Sequence, residues 1–79
     1  MGLPEEIKRI RQRSLLTQEE FADVLGVSFS TVNRWEGGHA KPNMAAMKSI
    51  KAFCERNRFD YALVEEAWLD FEPPIINLS

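Results

Sequence analysis

Between residues 18 and 43 the chain gathers a set of side chains suited to recognition: the amides of Gln18, Asn33 and Asn43, the hydroxyls of Ser30 and Thr31, the guanidinium of Arg34 and the ammonium of Lys41. These groups donate and accept hydrogen bonds; none is a nucleophile paired with a base. Cys54 and His39 are the single cysteine and the single histidine, so one chain can assemble neither a disulfide nor a zinc site. Cys54 is expected to be buried as a small apolar residue. His39, in a glycine-flanked loop, is either solvated or a phosphate contact. Paired acids and a glycine-rich phosphate loop are both missing, so no catalytic residue, metal or cofactor is expected, and the chain does not read as an enzyme.

The recognition set needs helices to hold it. Pro4 followed by Glu5 and Glu6 starts a first helix, with Leu3, Ile7 and Ile10 at helical spacing, and the helix runs to about residue 13. Thr17 with Glu20 three positions later forms a capping box, so a second helix opens at Gln18 and carries Phe21, Ala22 and Leu25 on one face until Gly26 stops it. Ser28 caps a third, in which Val32 and Trp35 share a face and Gly37-Gly38 ends the run. Pro42 and Asn43 start a fourth, with Met44, Met47, Ile50, Phe53 and Cys54 along one side. A fifth begins near Tyr61, aligns Tyr61, Val64, Trp68 and Phe71, and stops before Pro73-Pro74. No strand pattern or internal repeat occurs.

Two helices joined by a few residues pack closely only if the contact residues permit it. Ala22 is small where the third helix crosses the second, Gly26 can take positive φ at the turn, Val32 fills the space between the helices, and Trp35 joins the surrounding core. That spacing reads as a helix-turn-helix inside an all-α, compact four- to five-helix bundle.

With 79 residues, 44% of them hydrophobic and 28% charged, the chain has the size and composition of one small folded unit. The net charge of −2 conceals an asymmetry. Residues 1–58 hold ten Lys and Arg against seven acids, a balance of +3, while residues 59–79 hold five acids and no base. The chain therefore divides into a mildly basic body, residues 1–58, and an acidic amphipathic tail, residues 59–79. No apolar stretch approaches the roughly 20 residues of a membrane helix, and the first residues lack a basic start followed by an apolar block. A cytoplasmic, unprocessed protein with no membrane partner is expected.

The stretch TQEEFADVLGVSFSTVNRWEGG, followed by Lys41-Pro42, resembles the lambda-repressor-like, Cro-type helix-turn-helix proteins, also called the xenobiotic response element family. The resemblance covers about residues 7–53. It implies an all-α bundle of up to five helices, binding to double-stranded DNA as a homodimer on a palindromic operator, and transcriptional repression or activation. It also implies that Arg11 and Glu36 join the first helix to the end of the third through a bidentate ion pair; the alternative is two solvated charges. By the same correspondence Phe29, Ser30, Asn33 and Arg34 face bases or nearby phosphates. Their chemistry suits this: Arg34 can pair with guanine O6 and N7, Phe29 can pack on a thymine methyl, and Ser30 or Asn33 can bond base edges. Phe29 as a partly buried helix-start residue and Arg34 as a plain phosphate contact remain open. Gln18 sits where its amide and the free N–H groups of a helix start can hold a phosphate, or it is only a surface cap. Thr31, Lys41 and Asn43 are the other expected phosphate contacts.

The favoured reading is a DNA-binding transcriptional regulator, most simply a repressor. The competing one keeps the fold and gives residues 59–79 to a partner protein, as in an antitoxin or an interaction module. In the tail, Trp68, Phe71 and Ile75-Ile76 add apolar surface that either makes an interface, with the acids keeping it away from DNA, or folds back to complete the chain's own core.

Overall fold

A computed structural model describes residues 2–74, and five helices make up all of the regular structure there: α1 (Leu3–Arg13), α2 (Gln18–Leu25), α3 (Phe29–Glu36), α4 (Met44–Arg56) and α5 (Tyr61–Asp70). The fold is all-α, as the periodicity predicts.

Each helix start has a local cause. Pro4 lies in the first turn of α1, with Glu5 and Glu6 at the positive end of its dipole. The capping box of α2 forms on both sides: Glu20 N–H donates to Thr17 Oγ1 at 3.1 Å and Thr17 N–H to Glu20 Oε1 at 2.9 Å. The Thr17 amide, by donating to the ionised carboxylate, and to a smaller degree the Thr17 hydroxyl hold the Glu20 carboxyl below its ordinary pKa. Ser28, Asn43 and Asp60 cap α3, α4 and α5 with side-chain oxygens.

The helix ends share one motif. In the left-handed residue after each of α1 to α4 the N–H bonds a carbonyl three back, and the next N–H bonds one five back, the paired bonds of a Schellman turn. At α2 and α3 that residue is Gly26 (φ 74°) or Gly38 (φ 78°); at α1 and α4 it is Leu15 (φ 59°) or Arg58 (φ 60°). An added Cβ at Gly26 would meet nothing within 4 Å, so its backbone conformation, and not space, calls for glycine.

One core unites all five helices: Leu3, Ile7 and Ile10 of α1, Phe21, Ala22 and Leu25 of α2, Val32 and Trp35 of α3, Ala46, Met47, Ile50, Phe53 and Cys54 of α4, and Val64 of α5. Phe21 meets Phe53 edge to face, with centroids 5.1 Å apart. Cys54 is fully buried, as expected, and burial pushes its thiol up to about 11, so it stays protonated and unreactive at neutral pH. Met44 departs from expectation. It is 70% exposed, because Asn43 is the cap and Met44, as the first helical residue, points outward; Ala46 takes its place in the stripe.

The tail folds back, the second of the two arrangements open for it. α5 packs on α1 and α4, Val64 is fully buried, and Tyr61, Trp68 and Phe71 pack against the core. The helix ends at Asp70, where Phe71 turns extended (φ −87°, ψ 129°). Ile75-Ile76 lie outside the described residues. No helix among the described residues is long and apolar enough to cross a membrane.

Candidate nucleic-acid interface

The recognition set rests on the contact of α2 with α3. Ala22 and Val32 are buried between the two helices and Trp35 is 3% exposed, so the inner face of α3 is fixed in the core. The outer face is left to solvent, and Phe29, Ser30, Asn33 and Arg34 all lie on it. Phe29, the first residue of α3, is 52% exposed, so about half of its surface is open on this face.

The far end of α3 is tied to α1. Arg11 Nε donates to Glu36 Oε2 at 2.7 Å and Nη2 to Glu36 Oε1 at 2.8 Å, while Nη1 donates to the Leu16 carbonyl at 2.9 Å. The side chains are 11% and 5% exposed, so this is a buried, bidentate pair and not two solvated charges. The Glu36 hydrogen bonds raise the Arg11 pKa further above its already high ordinary value.

Gln18 extends this network. Its Nε2 donates to Glu36 Oε1 at 3.1 Å, and its Oε1 accepts from Asn33 Nδ2 at 3.2 Å. The Gln18 side chain thus joins the start of α2 to the C-terminal half of α3, at Asn33 and Glu36, instead of projecting freely. Residue types alone give no signal of this pairing across fifteen positions.

Around the start of α3, Ser28 Oγ accepts from Thr31 N–H at 3.2 Å and lies 2.7 Å from Thr31 Oγ1 and 3.2 Å from Ser30 Oγ. Thr31 is half-buried beneath this hydroxyl cluster. A groove of about 730 Å³ separates this end of α3 from the start of α4, with Ser30, Thr31, Arg34, Lys41 and Asn43 on its walls. Asn43 is exposed, its Oδ1 accepting from Ala46 N–H at 2.8 Å. His39 is exposed in the loop, its backbone N–H closing α3 on the Arg34 carbonyl.

Lys41 borders the groove, but its ammonium is engaged elsewhere. Nζ donates to the carbonyls of Trp68 at 3.1 Å and Phe71 at 3.2 Å and lies 4.9 Å from the Trp68 ring centroid. Trp68 Nε1–H donates in turn to the Pro42 carbonyl at 2.6 Å. A cation at the C-terminal end of α5 satisfies carbonyls that the helix leaves open. The C-terminal end of α5 thus rests on the α3–α4 loop and holds Lys41 in place at the border of the groove.

A polar, outward-facing helix locked behind a tight αL turn, inside a bundle of five helices, defines a DNA-binding helix-turn-helix domain. The chain belongs to the lambda-repressor-like helix-turn-helix family, whose family model, described as helix-turn-helix, matches residues 7–56. Among similar proteins, the HTH-type transcriptional activator BcrR of Enterococcus faecalis is 38% identical over 53 residues, 67% of this chain and 26% of that protein. The type II methyltransferase M.SsoII of Shigella sonnei is 46% identical over 50 residues, 60% of this chain and 13% of that protein. The HTH-type transcriptional regulator YiaG of Escherichia coli is 39% identical over 46 residues, 58% of this chain and 48% of that protein. The chain therefore spans less than half the length of each. No solved structure matches the chain significantly.

Proposed function

We propose that this chain binds double-stranded DNA sequence-specifically as a transcriptional regulator in the cytoplasm, acting as a repressor in the form of a dimer on a palindromic operator. The observation that carries the reading is the exposed face of α3, with Phe29, Ser30, Asn33 and Arg34 outward while the Arg11–Glu36 pair and the buried Val32 and Trp35 fix its other side. That face has the donors, acceptors and apolar contact with which a major groove is read. Thr31, Asn43 and the amino end of α2 at Gln18 flank it as phosphate contacts. The names of BcrR and YiaG as transcriptional regulators support the same class of activity.

Binding is expected to weaken steeply with salt, since each phosphate contact releases counterions. Fluorescence anisotropy on a selected operator at several salt concentrations measures this, and equal affinity for scrambled DNA at low salt would sink the reading. In the same assay Arg34→Ala is expected to cost about 1–3 kcal/mol and to relax one base pair.

The dimer, and equally the reading in which residues 59–79 bind a partner protein, has one observation in its favour: Leu63 and Leu69 of α5 are 46% and 65% exposed. Sedimentation equilibrium at micromolar concentration separates the two, because a monomer removes the homodimer and leaves DNA binding standing.

A further inference from the structure

We propose that Phe29 reads the C5 methyl group of a pyrimidine as a group in its own right, so that the chain binds 5-methylcytosine more tightly than cytosine at the base Phe29 meets and thereby responds to cytosine methylation. The proposal rests on the DNA-binding reading above and deepens it from base sequence to base modification.

Of the five phenylalanines, Phe21 and Phe53 lie in the core and Phe59 and Phe71 pack against it, whereas Phe29 has no place in that cluster and stands half-exposed. It is the first residue of α3, directly after the Ser28 cap. Side chains on a helix lean toward its N-terminus, so the ring stands at the leading end of α3. The turn that carries it is held by the hydrogen-bonded hydroxyls of Ser28, Ser30 and Thr31.

An aromatic side chain so placed keeps apolar surface in water, and only an apolar contact removes it. In a helix-turn-helix complex the N-terminal residues of the recognition helix meet base edges in the major groove. Those edges are donors and acceptors with one exception, the methyl group at C5 of thymine. A phenyl ring carries no polar donor or acceptor, so it cannot tell the oxygen at C4 of thymine from the amine at C4 of cytosine. What it registers is the methyl group beside them, and 5-methylcytosine carries the same group at the same carbon. The polar ends of Ser30, Asn33 and Arg34 match polar edges, which leaves Phe29 as the apolar member of the face.

The test compares duplexes that differ by a single methyl group. A binding site is selected from a randomised duplex library with the full chain. On both strands each thymine is then replaced singly by deoxyuridine and each cytosine by 5-methylcytosine, and wherever the methyl group changes affinity the other pyrimidine is placed there, opposite its own purine, with and without its methyl. Fluorescence anisotropy gives Kd for the full chain and for Phe29→Ala at low salt, where phosphate contacts keep both affinities measurable. At one position, or at a symmetry-related pair, the methyl group is expected to tighten binding roughly fourfold, the equivalent of burying one methyl. The gain is expected for thymine over uracil and for 5-methylcytosine over cytosine alike, and Phe29→Ala abolishes both. The proposal is overturned if no methyl group tightens binding to the full chain, if Phe29→Ala retains the gain, or if thymine is preferred to uracil where 5-methylcytosine is not preferred to cytosine. Phe29 lies outside the core, so its replacement leaves the fold in place. Failure of the full chain to enrich any sequence overturns the DNA-binding reading itself, a different outcome from specific binding that ignores the methyl group.

Discussion

Arg11 shows how much one side chain can be asked to do: three of its five donors reach two oxygens of Glu36 and the Leu16 carbonyl, from a side chain only 11% exposed. Removing it leaves a carboxylate buried without a counter-charge, and breaking such a pair costs far more than the pair itself is worth. Arg11→Ala is expected to lose about 3 kcal/mol of stability, against less than about 0.5 kcal/mol for the exposed Arg13→Ala. Chemical denaturation of both variants checks this, and equal midpoints would reduce the bridge to a surface feature. At this scale the sequence was legible where one residue type has one job. Ala22, Gly26 and Val32 sit where their size and φ require, and the Arg11–Glu36 pair, implied by resemblance, forms. It was illegible where a polar side chain has several possible partners. Lys41 could equally have met a phosphate or a carbonyl, and only the fold brings Trp68, twenty-seven positions away, within its reach.

The helices differ in how well their ends suit the residues placed there. Starts were readable because a capping oxygen and the N–H it accepts lie three residues apart, as in Thr17 and Glu20 or Ser28 and Thr31. The left-handed stops were readable where they fall on glycine: the turn after α2 announces itself with Gly26, while the same turn after α1 carries Leu15 and gives no such signal. Met44 was misplaced for a related reason, since a helix boundary one residue off rotates a side chain out of the apolar stripe. The turn at Leu15 is also a reserve of stability. A left-handed backbone costs a residue with Cβ about 1–2 kcal/mol, glycine's extra freedom in the unfolded chain returns about 0.4–1 kcal/mol of that, and at 90% exposure the leucine side chain has little packing to lose. Leu15→Gly is therefore expected to gain roughly 0.5–1 kcal/mol, while Leu15→Ala, which keeps the Cβ, gains nothing. Thermal melts of the two variants decide, and a glycine variant no more stable than the alanine one refutes the argument.

The molecule as a whole is held together by more than its helix-turn-helix. The charge count separated a basic body from an acidic tail, but charge says nothing of burial, and Val64 places the tail's helix in the same core as Ile7 and Phe53. Burying a valine contributes about 1.5–3 kcal/mol, and Tyr61, Trp68 and Phe71 add partial burial to it. A chain ending at Arg58 is thus expected to lose more than about 3 kcal/mol, measured by urea denaturation against the full chain; an unchanged midpoint would mean that α5 does not dock. The contact of Lys41 with Trp68 gives this docking an optical signature. The two tryptophans sit in unlike surroundings, Trp35 sealed in the core at 3% exposure and Trp68 half-buried beside an ammonium. Lifting α5 alone would wet one indole and leave the other dry, whereas unfolding wets both, so acrylamide quenching of the native fluorescence resolves a partial opening from a complete one without any label.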